Sequence, residues 1–332
     1  MTDDTATSMY FAVEPLAPDF IEKLTEAIQD AKAKNPDLLF YAVVDAAFEH
    51  ARPRIKRTTW KDEAWSLYED MTTQTALKDA APHLVPLSDD PNDLQYQLVV
   101  LRKVGNGLPM MSFIGTTIRP IEFPIKPAEL MATFKPFFEV TAGDKQRFLL
   151  RFADTRILPV LDSILRDDNI AGWRHGITHW WLPDRTGKLI SLPEYPNNDR
   201  PFDSAQDCLS LSAKSFNQLT DAGESDAILD AIAEQNADLL KGKQPAAAHA
   251  VIQRLKEKIA EFHIDNFRDV VMFCTTALSA SERFYSNPKF KALLTSGAWT
   301  PGKLGEAFMT VDDDAWTENE AMNLFEVKQE KS

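Results

Sequence analysis

Apolar residues first recur at helical spacing at Phe20, Leu24, Ile28 and Ala31, and the pair Asn35-Pro36 ends the run. The spacing predicts a single helix within an N-terminal arm, residues 1–36, which either docks or swings. The pattern then shortens: LLFYAVV, residues 38–44, is compact, partly β-branched and flanked by Pro36 and Asp45, the description of a buried strand. Helical spacing returns over residues 60–80 through Trp60, Ala64, Leu67, Tyr68 and Met71, and Pro82 and Pro86 bracket a strand over His83–Leu87. A helix over Asn92–Lys103 carries Leu94, Leu98 and Leu101 on one face and stops at Gly105-Asn106-Gly107. Met110–Ile118 reads as strand, and Pro127 opens a helix with an apolar stripe of Leu130, Phe134 and Phe137. Phe138–Thr141 and Arg147–Phe152 form a hairpin, Ile157–Leu165 a short helix, and Gly176–Ser191 a second hairpin around Asp184-Arg185-Thr186-Gly187.

The segment YPNNDRP, at the head of residues 195–204, is rich in turn formers and bare of aliphatic side chains, and marks a linker. Beyond it the spacing is helical throughout: Phe267, Val270, Val271, Cys274 and Leu278 form one stripe, and Val251, Ile252, Leu255, Ile259 and Phe262 another. Asn287-Pro288 and Thr300-Pro301 each place a capping side chain before a proline suited to the first helical turn. The expected fold is therefore an α/β lobe over residues 37–194, a mixed sheet with flanking helices. It is followed by an all-α lobe over residues 205–310 and an acidic, flexible tail over 311–332. No internal repeat is present in the sequence.

A chain of 332 residues is long enough for two cores. Its 44% hydrophobic and 26% charged residues are those of a globular protein, and no apolar run approaches the roughly 20 residues that cross a bilayer. The acidic, hydroxyl-rich N-terminus lacks the basic and apolar regions of a secretory signal, so a cytoplasmic location without membrane insertion is expected. Two cysteines, Cys208 and Cys274, make no disulfide framework and suit a reducing compartment. The net charge is −14, of which residues 311–332 contribute −5 (seven acids, two bases), leaving −9 on the remainder. Such a surface repels phosphate backbones, and nucleic-acid binding is not expected.

The chemistry-bearing patterns fail one by one. His175 and His179 are close in sequence, but Gly172, Gly176 and β-rich neighbours argue for a strand, where four residues span roughly 13 Å and cannot share a zinc ion. The reading preferred is that His175, Ile177, His179 and Trp181 line one face of a sheet. Residues 297–303, GAWTPGK, nearly match a phosphate-binding loop, yet Leu304 replaces the magnesium-binding hydroxyl. Ser286-Asn-Pro-Lys289 has the serine–lysine spacing of one hydrolase class without its partner motifs. Both cysteines sit in apolar helical surroundings, where a thiol is inert packing. No catalytic residue, cofactor site or metal site is expected. Arg52, Arg54, Lys56 and Arg57 form the one basic cluster of an acidic chain, a solvated face or a grip for an acidic partner. Trp180 and Trp181, neighbours on one strand, face opposite ways, so one is expected in the core and the other at the surface for a partner.

The segment Arg151-Phe152-Ala153-Asp154-Thr155-Arg156-Ile157-Leu158 resembles the R-F-Y-D-P-R-V-L signature of the type VI secretion effector-adaptor (chaperone) family, departing at Ala153 and Thr155. LLFYAVVDAAFEHARP (38–53) is similar to that family's opening strand, which ends at Asp45. APHLVPLSDDPNDL (81–94) is similar to its P-x-L-V-P-L element, and GITHWWLPDRTGKLISLP extends the likeness towards residue 193. LSLSAKSFNQL, DAILDAIAEQNADLL and FRDVVMFCTTALSASERFYSNPKFKALL echo its helical lobe. The resemblance implies a non-enzymatic adaptor that binds the N-terminal region of a toxic effector and helps load it onto a VgrG-type spike.

Within the motif, Asp154 between Arg151 and Arg156 suits charge-assisted, bidentate bonds that fix a strand-to-helix turn, a structural role preferred over direct partner contact. Two other readings stand beside the adaptor: an immunity-type inhibitor masking a basic toxin, and an enzyme using carboxylates scattered in sequence. Cargo is expected in a cleft between the lobes or, preferably, along an unfinished strand edge.

Overall fold

The computed structural model describes residues 10–51, 60, 64–69, 74–118, 127–142, 146–170, 172–194 and 208–318. The chain packs as two units, Val13–Gly223 and the described residues of Met1–Ala12 with Glu224–Ser332. The expected linker, 195–204, lies outside the described residues. Along the chain the first unit runs α1 (Phe20–Lys34), β1 (Leu39–Asp45), β2 (Trp65–Ser66), α2 (Thr75–Asp79), β3 (Pro82–Pro86), α3 (Pro91–Gly105) and β4 (Met111–Thr116). It continues through α4 (Ala128–Phe134), β5 (Glu139–Thr141), β6 (Arg147–Leu149), α5 (Leu158–Asp167), β7 (Ile177–Pro183), β8 (Leu189–Ser191) and β9 (Leu209–Ser210). Helix α6 (Ala213–Gln235) gives residues 213–223 to this unit and 224–235 to the other.

Among the described residues the larger sheet has the order β2-β3-β1-β4-β7-β8, antiparallel at every pairing. The mixed character expected from sequence resides in a small sheet, β6-β5-β9, where β5 and β9 run parallel. β1 is buried almost throughout because both faces of the large sheet are covered. The register places Tyr41, Ile114 and Trp180 in one row and Ala42, Phe113 and Trp181 in the next, on the opposite face. The first row joins the main core, where Phe134 meets Trp180 edge-on at 6.0 Å. The second row is covered by α1, whose Phe20 lies 6.2 Å from Phe113.

The helix of the N-terminal arm is docked: Phe20, Leu24, Ile28 and Ala31 are buried, and residues before it are tied to the β7–β8 turn by Glu14 N–H to the Arg185 carbonyl (2.8 Å) and Ala17 N–H to the Gly187 carbonyl (2.9 Å). Gly187 sits at φ +77°, and a Cβ there would collide with the Pro15 backbone oxygen. Trp180 and Trp181 do face opposite ways, but both are buried, so neither is at the surface for a partner. Trp181 stacks on Phe40 and His179 instead.

The expected row His175, Ile177, His179, Trp181 is also broken. Thr116 pairs with Ile177 and Gly115 with His179, so Thr178 is an extra residue. Alternation inverts across that bulge. Ile177 therefore shares the core with Trp180, and His175 sits in the turn before the strand. Residues 60–80 are not one helix: Trp65–Ser66 pairs with β3, and only Thr75–Asp79 is α-helical among the described residues.

The second unit is helical, with α7 (Ala237–Leu240), α8 (Pro245–Glu261), α9 (Phe267–Ser279), α10 (Pro288–Ser296) and α11 (Leu304–Phe308). Phe284 lies at the centre, 4.9 Å from Phe273, 5.3 Å from Phe290 and 5.6 Å from Phe308. Asn287 accepts the Lys289 N–H at the start of α10, as its position before Pro288 predicts. Thr300 does not begin a helix: α11 starts at Leu304, and its N–H is taken by the distant carboxylate of Asp269. The expected tail is partly packed, since residues 313–318 are helical, Ala315 is buried and Trp316 meets Phe290 edge-on at 4.8 Å. Residues 319–332 lie outside the described residues.

Candidate functional site

β1 ends at Asp45, beside the starts of β3 and β4, since Asp45 pairs with Pro82 and Val44 with Met111. Three segments meet there. A 3-10 turn, Ala46–Ala51, follows β1 directly. Beyond β6 the chain runs Leu150, Arg151, Phe152 and turns into α5. Thr155 anchors that turn by giving its N–H to the Pro109 carbonyl at 3.0 Å.

Local sequence explains the turn. Leu150 and Phe152 point into the core, where Phe152 stacks on Phe134 at 5.2 Å, and Leu150 donates its N–H to the Phe138 carbonyl at 2.8 Å. Asp154 then serves the turn through both its backbone and its side chain. Its carbonyl accepts the Leu158 N–H (2.9 Å) and so begins the helix. Its carboxylate accepts the Arg156 backbone N–H (3.0 Å), Nε (3.0 Å) and Nη2 (2.7 Å). That is a bidentate fork made with a residue only two positions away.

Arg151 does not join this fork. Its Nη2 reaches Asp45 Oδ2 at 3.0 Å, while Asp45 Oδ1 accepts the Ala47 N–H at 3.1 Å. The two arginines share an aromatic surface, since the Arg151 guanidinium lies 4.4 Å and that of Arg156 5.8 Å from the ring centroid of buried Phe48. Asp45 is 3% and Arg151 44% exposed by side chain; Asp154 is 5% and Arg156 14%. One guanidinium is thus presented to solvent from a frame whose other members are enclosed.

Burial raises the Asp45 carboxyl above its ordinary value, opposed by the charge and hydrogen bond of Arg151 and by the Ala47 N–H, and aided by Asp154. Nearby Tyr68, edge-on to Phe138 at 5.0 Å, is pushed up to about 12, chiefly by burial and further by the Asp45 charge. A guanidinium carries five donors in a planar fork, and Asp45 engages Arg151 through Nη2. The arrangement can therefore grip an acceptor, a carboxylate or a backbone carbonyl, without first paying to order the arginine.

The family-motif residues Asp45, Arg151, Phe152, Asp154 and Arg156 thus converge. Arg52, Arg54 and Arg57 lie outside the described residues; Trp60, where the described chain resumes, donates Nε1–H to Glu49 at 2.9 Å and meets His83 edge-on at 5.6 Å. His179 bonds Thr178 Oγ1 at 2.8 Å and is held below its usual range chiefly by burial. Among the described residues no group of three His, Cys, Asp or Glu side chains is placed to hold a metal. The Cys274 thiol is pushed up to about 12 by burial, which disfavours the reactive thiolate.

Sequence reasoning missed Phe48, whose neighbours in AAFEHA carry no distinguishing pattern. It also missed the buried pair Asp162–Arg174 (3.3 Å, each 1% exposed), in which Asp162 accepts the Trp173 indole N–H at 2.8 Å and Arg174 donates to the Pro193 carbonyl at 2.7 Å. A lone arginine between Trp173 and His175 signals burial only once its acid is known.

A family model described as a domain of unknown function, DUF4123, matches residues 40–171, from β1 to just beyond α5 and under half of the chain. No curated protein and no solved structure matches the chain. Among the described residues no helix is long and apolar enough to cross a membrane.

Proposed function

We propose that this chain is a non-enzymatic adaptor of type VI secretion, which binds the N-terminal region of a toxic effector in the cytoplasm of the producing cell and hands it to a VgrG-type spike. The observation that carries the reading is the coincidence of three features in one place. The stretch matched by the family model contains the signature segment 151–158, whose charged members gather with Asp45 around Phe48. That frame holds a single half-exposed arginine in fixed geometry. Interfaces draw much of their affinity from such pre-ordered arginines, since little rotamer entropy is lost on binding.

The test is affinity capture of the tagged, full-length chain from its native cells under secretion-active conditions, with co-purifying proteins identified by mass spectrometry. A toxin-bearing protein or a VgrG-type spike is the expected prey. Recovery of neither, from cells in which the apparatus is assembled, overturns the reading.

A further inference from the structure

The small sheet ends at β6 without a neighbour on its outer side among the described residues. Its hydrogen-bond phase follows from the two bonds that bracket the β5–β6 pairing: Ala142 N–H to the Gln146 carbonyl (3.1 Å) and Leu150 N–H to the Phe138 carbonyl (2.8 Å). Because an antiparallel ladder alternates, Gln146, Phe148 and Leu150 direct their N–H and C=O groups towards β5, and Arg147 and Leu149 direct theirs away from it. Among the described residues nothing hydrogen bonds to these outward groups of Arg147 and Leu149.

All three β6 side chains are exposed, but unequally: Phe148, 37% exposed, packs on Phe216 at 4.9 Å, and Leu150 and Phe152 beyond it are buried, whereas Leu149 is 60% exposed between Arg147 (60%) and Arg151 (44%). Short, charged edges are ordinarily a device against unwanted pairing. Here, however, the edge charges are of one sign and flank an exposed leucine; Arg147 Nη1 rests on Glu139 of β5 at 3.4 Å, an exposed pair that a closer carboxylate can replace, and Arg151 is the arginine already fixed on Phe48.

We infer that the β6 edge, continuing to Arg151, is a strand-addition site for an extended segment of a partner protein whose every second side chain runs acidic, apolar, acidic along one face. An added strand would complete the outward hydrogen bonds of Arg147 and Leu149. Its apolar side chain would cover Leu149, and the flanking carboxylates would meet the two guanidiniums. A basic or uniformly apolar segment satisfies only part of this pattern. The inference deepens the adaptor reading and rests on it for the identity of the partner, but not for the chemistry of the edge.

The probe is a fluorescently labelled peptide with glutamate, valine and glutamate at every second position and threonine between them, so that the three share one face of the added strand, titrated into the full chain and followed by anisotropy. Saturable binding is expected, with about tenfold loss for Arg147→Glu and for the same peptide N-methylated at alternate amides, and with no binding of the same peptide carrying lysine in place of glutamate. Leu149→Pro removes an outward N–H without taking a bond from β5, and is expected to weaken binding similarly; Leu149→Ser, which leaves the backbone donor in place, guards against a variant that does not fold. Equal binding of the parent and N-methylated peptides, or of the glutamate and lysine peptides, overturns the inference. If the cellular partner is captured equally by wild type, Arg147→Glu and Leu149→Ser, the edge fails and the adaptor stands. If wild type binds the peptide as specified but captures no secretion protein, the edge stands and the adaptor reading fails.

Discussion

Each unit of this chain organises a turn on a buried carboxylate, and the two satisfy it with different donors. In the helical unit Asp269 accepts the Trp299 indole N–H (3.2 Å) and the backbone N–H groups of Gly302 (2.7 Å) and Leu304 (2.8 Å). All three donors are neutral, and no charge is carried to the surface. In the α/β unit Asp154 and Asp45 are satisfied largely by guanidinium groups, one of them half exposed. A backbone donor fixes a turn and is used up in doing so. An arginine fixes it and keeps donors in hand. Burial of an acid therefore speaks of stability, while the exposure of its partner decides whether the same bond also serves recognition.

The comparison can be strained by removing each carboxylate in turn. The largest effect is expected at Asp162, because Asp162→Ala abandons a fully enclosed Arg174; a loss of about 3–5 kcal/mol in urea unfolding is predicted. A loss under about 1 kcal/mol would mean that Arg174 is not charge-dependent on this partner. Asp269→Ala should come next, at about 2–4 kcal/mol, since it strips one acceptor from three donors, with partner capture unchanged once the protein is folded.

Asp154→Ala should cost about 2–3 kcal/mol and also reduce partner capture, because the Arg156 fork is partly open to solvent. Lost capture at an unchanged thermal midpoint would instead make Asp154 a direct contact. Arg151→Ala should reverse that ratio. It leaves the enclosed Asp45 carboxyl with the Ala47 N–H and free to take up a proton, so folding should lose about 1–2 kcal/mol, while capture should fall about tenfold or more.

The smallest effect is a pH dependence. The folded-state value of Asp45 is raised, so between about 3.8 and that raised value the folded chain binds the proton more tightly than the unfolded chain. Stability from this group is therefore fully present below the unfolded value and is lost as pH rises through the folded one. Asp45→Asn should flatten that slope, and the difference in unfolding free energy between wild type and variant should shift in favour of wild type as pH falls through the window. An unchanged difference would show that Asp45 is not perturbed.

Much of this architecture is legible in the amino-acid sequence because its signals are local. The stripe Leu94, Leu98, Leu101 and the turn formers at 184–187 require no knowledge of the rest of the chain. What escapes is non-local. Alternation alone places Trp180 and Trp181 on opposite faces, but only the packing of α1 over Phe113 determines that both are covered. The inserted Thr178 reverses the faces within one strand, while the glycine at the irregularity, Gly115, stands on the facing strand β4, so the signal is visible only once the two strands are paired. Residues Leu67 and Tyr68 sit at helical spacing from Trp60 and Ala64, yet pairing of Trp65–Ser66 with β3 overrides the period. At the site, the charge-assisted turn was legible as a motif, but the proximity of two arginines to Asp154 in sequence concealed that Arg151 pairs with an acid 106 positions away.

The most direct test compares capture by the tagged wild-type chain and by Arg151→Ala from the same native cells, with thermal midpoints measured on both purified proteins. The adaptor account predicts that a toxin-bearing protein or VgrG-type spike co-purifies with wild type and is depleted about tenfold or more with the variant, both midpoints lying well above the temperature of the capture. Capture of the same secretion protein at equal yield by both would contradict the recognition role of Arg151, and its absence from the wild-type capture would contradict the adaptor itself.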